Sequence, residues 1–320
     1  MLMTFDEVTQ RIVNGEVLHI AGTEALLRKL PGGNWIGGST EYFMTADGGK
    51  VSGELLFVTA FNDARFSIKS YDDEGIDQIA NDAFEHGFSI VILPFDSGVH
   101  RTYAEKAAEF ENMFLREVAG WVSGLNLNAE GQTPIAVDGS GLSVYSDRAV
   151  ALHVEVPEDK TILINIVNIF EQDEESPIIE FTEEGFSATK CLVDGVETAL
   201  ADYIAENDID TKIPLVGDYS GAGVNISFKA IEGDVVYFYA PVFRDIKYRM
   251  AKNIGDYEEA FRDQLAGISD ANAVFSCNCL LNFLYGGLEG KQIEAFMGPI
   301  TFGEVAYQLV NQTLVYVTVE

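Results

Sequence analysis

The chain has 320 residues, with 20 Lys or Arg against 51 Asp or Glu, for a net charge of −31. A surface of that sign repels phosphate backbones and anionic headgroups, so nucleic acid and membrane surfaces are excluded as partners. An apolar fraction of 47% with 11% aromatics supplies a core and excludes an acidic disordered polymer, and the length allows two compact units of the usual ~150 residues.

Met1–Arg11 carries Asp6 and Glu7 where a secretory leader needs basic residues and an apolar run. Helices are predicted over Asp6–Asn14 and Thr23–Lys29, the second capped by Thr23 and stopped at Pro31-Gly32-Gly33. An antiparallel meander follows in Asn34–Gly38, Glu41–Thr45, Gly53–Phe61 and Ala64–Tyr71, with turns at Asp47-Gly48-Gly49 and Asn62-Asp63. Asp73–Glu85 reads as a helix, Phe88–Pro94 as a buried strand, and Thr102–Val118 as a second helix entered through Asp96-Ser97-Gly98. Gly120–Ser146 has no Lys or Arg and many Gly, Ser and Asn, which predicts loops and short strands.

Strands are then predicted at Ala149–Val156, Thr161–Glu171, Ile178–Phe181 and Ser187–Val193, and a helix at Val196–Glu206 leads into the acidic connection Asn207–Lys212. The last third gives strands Val224–Ile231 and Asp234–Pro241, helix Asp256–Gly267, and strands Ala273–Cys279, Ile293–Val305 and Thr313–Val319. Thr161–Phe170 and Val235–Phe243 are nearly apolar but about half the ~20 residues that cross a bilayer, so they are strands. Paired strands interrupted by single helices predict an α+β protein with largely antiparallel sheets, divided into residues 1–206 and 207–320.

The odd cysteine count (Cys191, Cys277, Cys279) and the Cys-x-Cys spacing predict reduced, buried thiols in a cytoplasmic protein. No nearby His or Cys completes a zinc set around Cys277 and Cys279, so no metal or cofactor is assigned.

A weak internal echo joins the two ends. Ile36-Gly37-Gly38-Ser39-Thr40 and Met297-Gly298-Pro299-Ile300-Thr301 share a Gly-x-x-Thr order, and each precedes a closing strand, Phe57-Val58-Thr59 or Tyr316-Val317-Thr318. Two related halves are the expectation, with a ligand pocket between them. A Gly after a strand admits close approach of a ligand, and a Thr hydroxyl three places on can donate or accept there.

Three more sites carry candidate chemistry. Ser97, His100 and Arg101 lie in a strand-to-helix loop whose free N–H groups favour an anion. Arg244, Lys247, Arg249 and Lys252 reverse the local charge, and Lys247 and Arg249 share one face of a strand able to hold a carboxylate. Cys277 beside a base such as His100 would make a nucleophile, and Glu304 could receive a ligand ammonium.

Val274-Phe275-Ser276-Cys277, Gly298–Ala306 and Asn311-Gln312-Thr313-Leu314 resemble the C-terminal pattern of FIST-domain proteins, a bacterial sensory module, and Trp35–Thr40 is similar to that family's Gly-x-Ser-Thr turn. The resemblance implies an N-terminal FIST part over 1–206 and a C-terminal part over 207–320. It also implies a sensor for amino-acid-like or carboxylate ligands, or haem in some members, that signals here through a partner protein. The expected ligand-binding residues are Gly37, Gly38, Ser39, Thr40, Ser97, His100, Arg101, Arg249, Cys277, Thr301 and Glu304, with no catalytic residue assigned. The alternatives from other classes are a cysteine- or serine-dependent enzyme acting on a small anionic metabolite and an acidic scaffold for a basic partner.

Overall fold

In the computed structural model, residues 1–61, 64–219, 221–268, 272–291 and 296–320 are described. The fold is mixed α/β and dominated by several largely antiparallel sheets, with 43% of residues in strands and 17% in helices. The chain forms two compact units: Met1–Val167 with Leu265–Leu309 and Thr313–Glu320, and Asn168–Gln264 with Val310–Gln312. Residue 206 ends the helix Leu200–Glu206 inside the second unit, and both Gly-x-x-Thr segments lie in the first.

Three six-stranded sheets build the first unit. One runs Leu2–Met3, Leu56–Ala60, Leu18–Gly22, Trp35–Ser39, Ala136–Asp138, Ser143–Tyr145. Its face is covered by the helix Phe5–Val13, whose Val8 and Ile12 join Leu18, Ile20, Trp35 and Leu56 in one core. That helix starts at a capping box: Thr4 Oγ1 accepts from the Glu7 N–H, and the Glu7 carboxylate accepts from the Thr4 N–H at 2.8 Å. The second sheet is centred on Gly87–Pro94, eight consecutive buried residues that run parallel to Glu117–Ser123 and antiparallel to Ala149–Glu155. A continuous apolar run is what a strand covered on both faces requires.

The third sheet is ordered Ile162–Asn168, Thr313–Val319, Ala273–Cys279, Gly298–Thr301, Tyr42–Thr45, Gly48–Val51. Pairing around the two Gly-x-x-Thr strands is alike. Leu18–Gly22 runs parallel to Trp35–Ser39 and antiparallel to Leu56–Ala60. Ala273–Cys279 runs parallel to Gly298–Thr301 and antiparallel to Thr313–Val319. A short helix follows the first strand of each set, Glu24–Leu27 in one and Leu280–Tyr285 in the other.

In the second unit a six-stranded sheet and the three strands Gly185–Ala188, Val235–Val242 and Phe228–Glu232 enclose Phe181, Phe238 and Tyr248. The Phe181 ring meets Phe238 and Tyr248 edge-on at 5.9 and 5.3 Å.

Several predicted elements differ. Asp73–Glu85 holds a single 3₁₀ turn, Ile76–Gln78: one turn suffices to bury Ile76, Ile79 and Ala80, and Asp72 Oδ1 ties off the Gly75 N–H at 3.0 Å. The predicted helix Thr102–Val118 is shifted to Gly98–Lys106, and the chain re-enters a sheet as Glu117–Ser123. Burial of Val118, Trp121 and Val122 overrides their helical spacing, and Gly120 lets the strand pass close to Val91, where a Cβ would strike backbone. Val196–Ala199 is a strand before the helix Leu200–Glu206, because Asp194 and Gly195 take left-handed φ of 47° and 81° and form a hairpin turn. The predicted turn Asn62-Asp63 and the start of the predicted strand at Ile293 lie outside the described residues. Among the described residues no helix is long and apolar enough to cross a membrane.

Candidate functional site

A cleft of about 720 Å³ opens in the first unit. Phe57–Phe61 supply one wall; Phe88 and Val154–Pro157 a second; Ala273–Ser276, Phe296, Met297 and Val319 a third, with Met1 and Arg11 at the rim. Phe57, Phe61, Phe88, Phe275 and Phe296 are each at most 6% exposed, so they are packed in the core and only border the cleft. The Phe61 and Phe88 rings pack edge-on at 5.6 Å. Thr59 and Ser276 add hydroxyls, although Ser276 Oγ already donates to Met297 O at 2.9 Å. A second cavity of about 440 Å³ shares Ala64, Glu155, Val156 and Pro157 with the first and is otherwise lined by Arg65, Glu85, His86 and Glu158.

His19, paired with Thr59 and edge-on to Phe275 at 5.3 Å, stands behind this wall and is fully buried. Its Nε2 accepts from Trp121 Nε1 at 2.8 Å, and its Nδ1 has no hydrogen-bond partner among the described residues. Burial pushes its pKa down to about 3, so the ring is neutral.

The two Gly-x-x-Thr segments meet in the core of the same unit. Thr40 Oγ1 donates to Ile300 O at 2.8 Å and accepts from the Tyr42 N–H, and Ser39 Oγ accepts from the Ile135 N–H at 2.9 Å. Both glycine positions are closed by packing: a Cβ on Gly38 would approach Ile92 and Trp121 to 2.6 and 2.7 Å, and one on Gly298 would run into the Ser276 carbonyl. Gly37, Gly38, Ser39, Thr40 and Thr301 therefore do not line the cleft.

Glu304 joins Thr301 in a sealed polar cluster. Thr301 and Thr313 hydroxyls donate to its two carboxyl oxygens at 2.9 and 2.8 Å, and the residue has no solvent exposure. Burial outweighs these bonds and pushes its pKa up to about 8, so the carboxyl carries a proton at neutral pH. Cys277 lies beside it, fully enclosed, donating to Gly120 O at 3.4 Å. Its thiol is pushed up, first by burial and then by the Glu304 carboxyl, the opposite of what a nucleophilic cysteine needs.

Ser97 caps the helix Gly98–Lys106, accepting from the His100 N–H at 3.2 Å and donating to Pro94 O at 2.6 Å. His100 is buried against Phe95 at 5.6 Å between ring centroids, and Arg101 forms an exposed ion pair with Asp96 at 2.6 Å. Capping and pairing thus account for this loop. Arg249 lies in the second unit, in the strand Tyr248–Met250 paired with Leu215–Tyr219. Of the expected binding residues, Gly37–Thr40, Cys277, Thr301 and Glu304 come together; the Ser97–Arg101 loop reaches that cluster only through rings, His100 packing on Phe95 and Phe95 on Phe302 at 5.4 Å, and Arg249 belongs to the second unit.

Sequence reasoning missed two sets of residues. The cleft phenylalanines come from four separate stretches and carry no common spacing. A buried relay also escaped notice: Ser89 Oγ lies 2.7 Å from His153 Nδ1, His153 Nε2 is 2.9 Å from Tyr71 Oη, and Tyr71 donates to Asp82 at 3.0 Å. Since the Tyr71 proton faces Asp82, His153 Nε2–H donates to Tyr71 and Nδ1 accepts from Ser89. The only signal was one polar residue in each of two apolar strands. Ser89 and His153 are both fully buried, and the order differs from a hydrolytic triad, with the serine on Nδ1 and a tyrosine between the histidine and the aspartate, so the relay is structural. Among the described residues no group of three His, Cys, Asp or Glu is placed to hold a metal ion.

A family model described as "Family of unknown function (DUF6976)" matches residues 3–320. The chain belongs to this family. No FIST model matches, which overturns the resemblance drawn from the short Gly, Thr, Phe-Ser-Cys and Asn-x-Thr patterns. In this DUF6976 member those residues serve packing: Gly298 makes room for a backbone carbonyl, Phe275 and Cys277 are core residues, and Thr301 and Thr313 satisfy Glu304. No curated protein matches the DUF6976 chain.

Proposed function

We propose that the protein binds a small, largely apolar molecule in the cleft of about 720 Å³ in its first unit. The observation that carries this is an opening of that size bordered by five phenylalanines in a chain of net charge −31. Its volume falls within the range of roughly 300–1,000 Å³ typical of small-molecule sites, and a few polar groups at the edge of an apolar wall are their usual composition. Support for two related arms in this unit comes from the matched strand pairing around Trp35–Ser39 and Gly298–Thr301, with Thr40 bonded to Ile300 where they meet. Free thiols at Cys191, Cys277 and Cys279 favour a reducing cytoplasm. A signalling output rested on the FIST resemblance and loses that support. Cysteine- or serine-dependent catalysis has no reachable nucleophile in Cys277 or Ser89 to draw on.

Titration with 1-anilinonaphthalene-8-sulfonate tests the proposal. The native chain is expected to bind it at one saturable site, and Thr59→Trp or Ala64→Trp, each filling the cleft from a different wall, is expected to abolish that site while circular dichroism stays unchanged. Undiminished binding in both variants would reject the cleft as the site.

A further inference from the structure

We propose that the cleft's ligand is an amphipathic monocarboxylate, its head on Arg11 and its apolar body along Phe57, Phe61, Phe88 and Phe275. This rests on ligand binding in the cleft as set out above and names the class of ligand.

Arg11 and Glu155 are the charged side chains among the cleft residues. Glu155 is directed to Arg65 at 3.4 Å on the side of the neighbouring cavity. Arg11 sits in the last turn of the helix Phe5–Val13 with its side chain 22% exposed. Its Nε and Nη2 donate to one carboxylate oxygen of Glu16 at 2.9 and 2.6 Å. Its Nη1 faces the Met3 thioether at 3.7 Å, a weak acceptor that a carboxylate would replace with a charge-assisted bond. Glu16 thereby fixes the guanidinium and leaves one edge of the fork for a ligand. With one charge of the pair already balanced by Glu16, a single negative charge suits the site better than a dianion.

The neighbouring cavity places Glu85, Glu155 and Glu158 against Arg65, so an anionic head is disfavoured there and directed to the Arg11 end. The chain's net charge of −31 opposes every anion at long range, so any preference for a carboxylate must come from the basic groups at the rim; the Met1 amino group there already donates to Val58 O and burial lowers it to about 6, which leaves Arg11 as the lasting cation. An ammonium head has the reverse balance: the field attracts it, yet Arg11 Nη1 offers it a donor and no acceptor.

Calorimetric titration of the full-length chain with dodecanoate, 1-dodecanol and dodecylammonium separates the outcomes. Dodecanoate is expected to bind most tightly, and Arg11→Gln is expected to weaken it roughly tenfold or more, the size of a lost charge-assisted bond. Dodecanol binding by the same variant should be unchanged, which also shows that the cleft has kept its shape. If dodecanol binds and dodecanoate binds no better, or if Arg11→Gln leaves dodecanoate unaffected, the carboxylate assignment is overturned while the cleft remains a binding site. Tightest binding by dodecylammonium overturns it as well. If none of the three binds and the sulfonate dye does not bind either, ligand binding in the cleft fails and this inference with it.

Discussion

Replacing Glu304 by Gln should make the protein more stable in alkali and leave it nearly unchanged in acid. In the folded chain the Glu304 carboxyl holds its proton up to about pH 8, whereas in the unfolded chain it ionises around 4.5. The folded state therefore binds one proton more between those values, and stability falls as pH rises through that window by roughly 1.4 kcal/mol per pH unit, on the order of 5 kcal/mol in all. Gln keeps the shape of the protonated acid: its oxygen accepts from Thr313, and its amide donates to Thr301, whose hydroxyl turns to Asn278 O at 3.2 Å. His19 and His153 act with the opposite sign, since burial holds their pKa values near 3 and 4 and the unfolded chain takes up their protons below about 6.5. Each removes roughly 1.4 kcal/mol per unit as pH falls below that point. His19 and His153 outweigh Glu304 below about pH 6.5, and above it the Met1 amino group, which burial lowers from 8.0 to about 6, offsets part of the decline from Glu304; Glu304→Gln should therefore gain on the native chain steadily from pH 4.5 to 8. Urea unfolding at pH 5, 6, 7, 8 and 9, followed by tryptophan emission, reads this directly, because Trp35 and Trp121 are both fully buried in the unit that holds Glu304. Parallel stability curves for the two proteins, or a variant less stable than the native chain at pH 8, would refute the buried neutral carboxyl.

Thr40→Val should cost about 1–3 kcal/mol in the same unfolding assay, because Ile300 O is left buried without a donor. Gly298→Ala should destabilise more than Gly38→Ala, the first pressing on the Ser276 backbone and the second on the side chains of Ile92 and Trp121; equal melting temperatures for the two would contradict that packing. A thiol reagent such as Ellman's should leave all three cysteines unmodified in the native chain and release three equivalents in denaturant, given that Cys191, Cys277 and Cys279 are buried. Ser89→Ala should cost about 1–3 kcal/mol by leaving the His153 Nδ1 without its donor, read as a lowered urea midpoint.

Local chemistry made some of this legible in the residues. Thr23 before an apolar run is a cap and a helix begins there, and the helix expected over Asp6–Asn14 forms as Phe5–Val13. Phe88–Pro94 was legible as a buried strand by an apolar run broken only at Ser89. The Gly-x-x-Thr echo located two segments with like pairing that touch each other. Long-range effects were hidden. Glu117–Ser123 is a strand because two neighbours accept its backbone and because Gly120 permits their approach, neither of which a window of sequence contains. Asp194-Gly195 did carry a hairpin signal, outweighed by the helical look of Val196–Glu206. At the site, Ser97, His100 and Arg101 have local roles in a cap, an aromatic contact and an ion pair, which single residues in a sequence do not display. The cleft itself draws on residues from position 1 to position 319, and only the fold gathers them.

The most direct measurement is a crystal structure of the chain grown with dodecanoate. The account predicts an extended chain of density in the first unit, running along Phe57, Phe88 and Phe275 with its carboxylate at Arg11 Nη1. Dodecanoate bound elsewhere with the cleft filled by the protein's own side chains would contradict it.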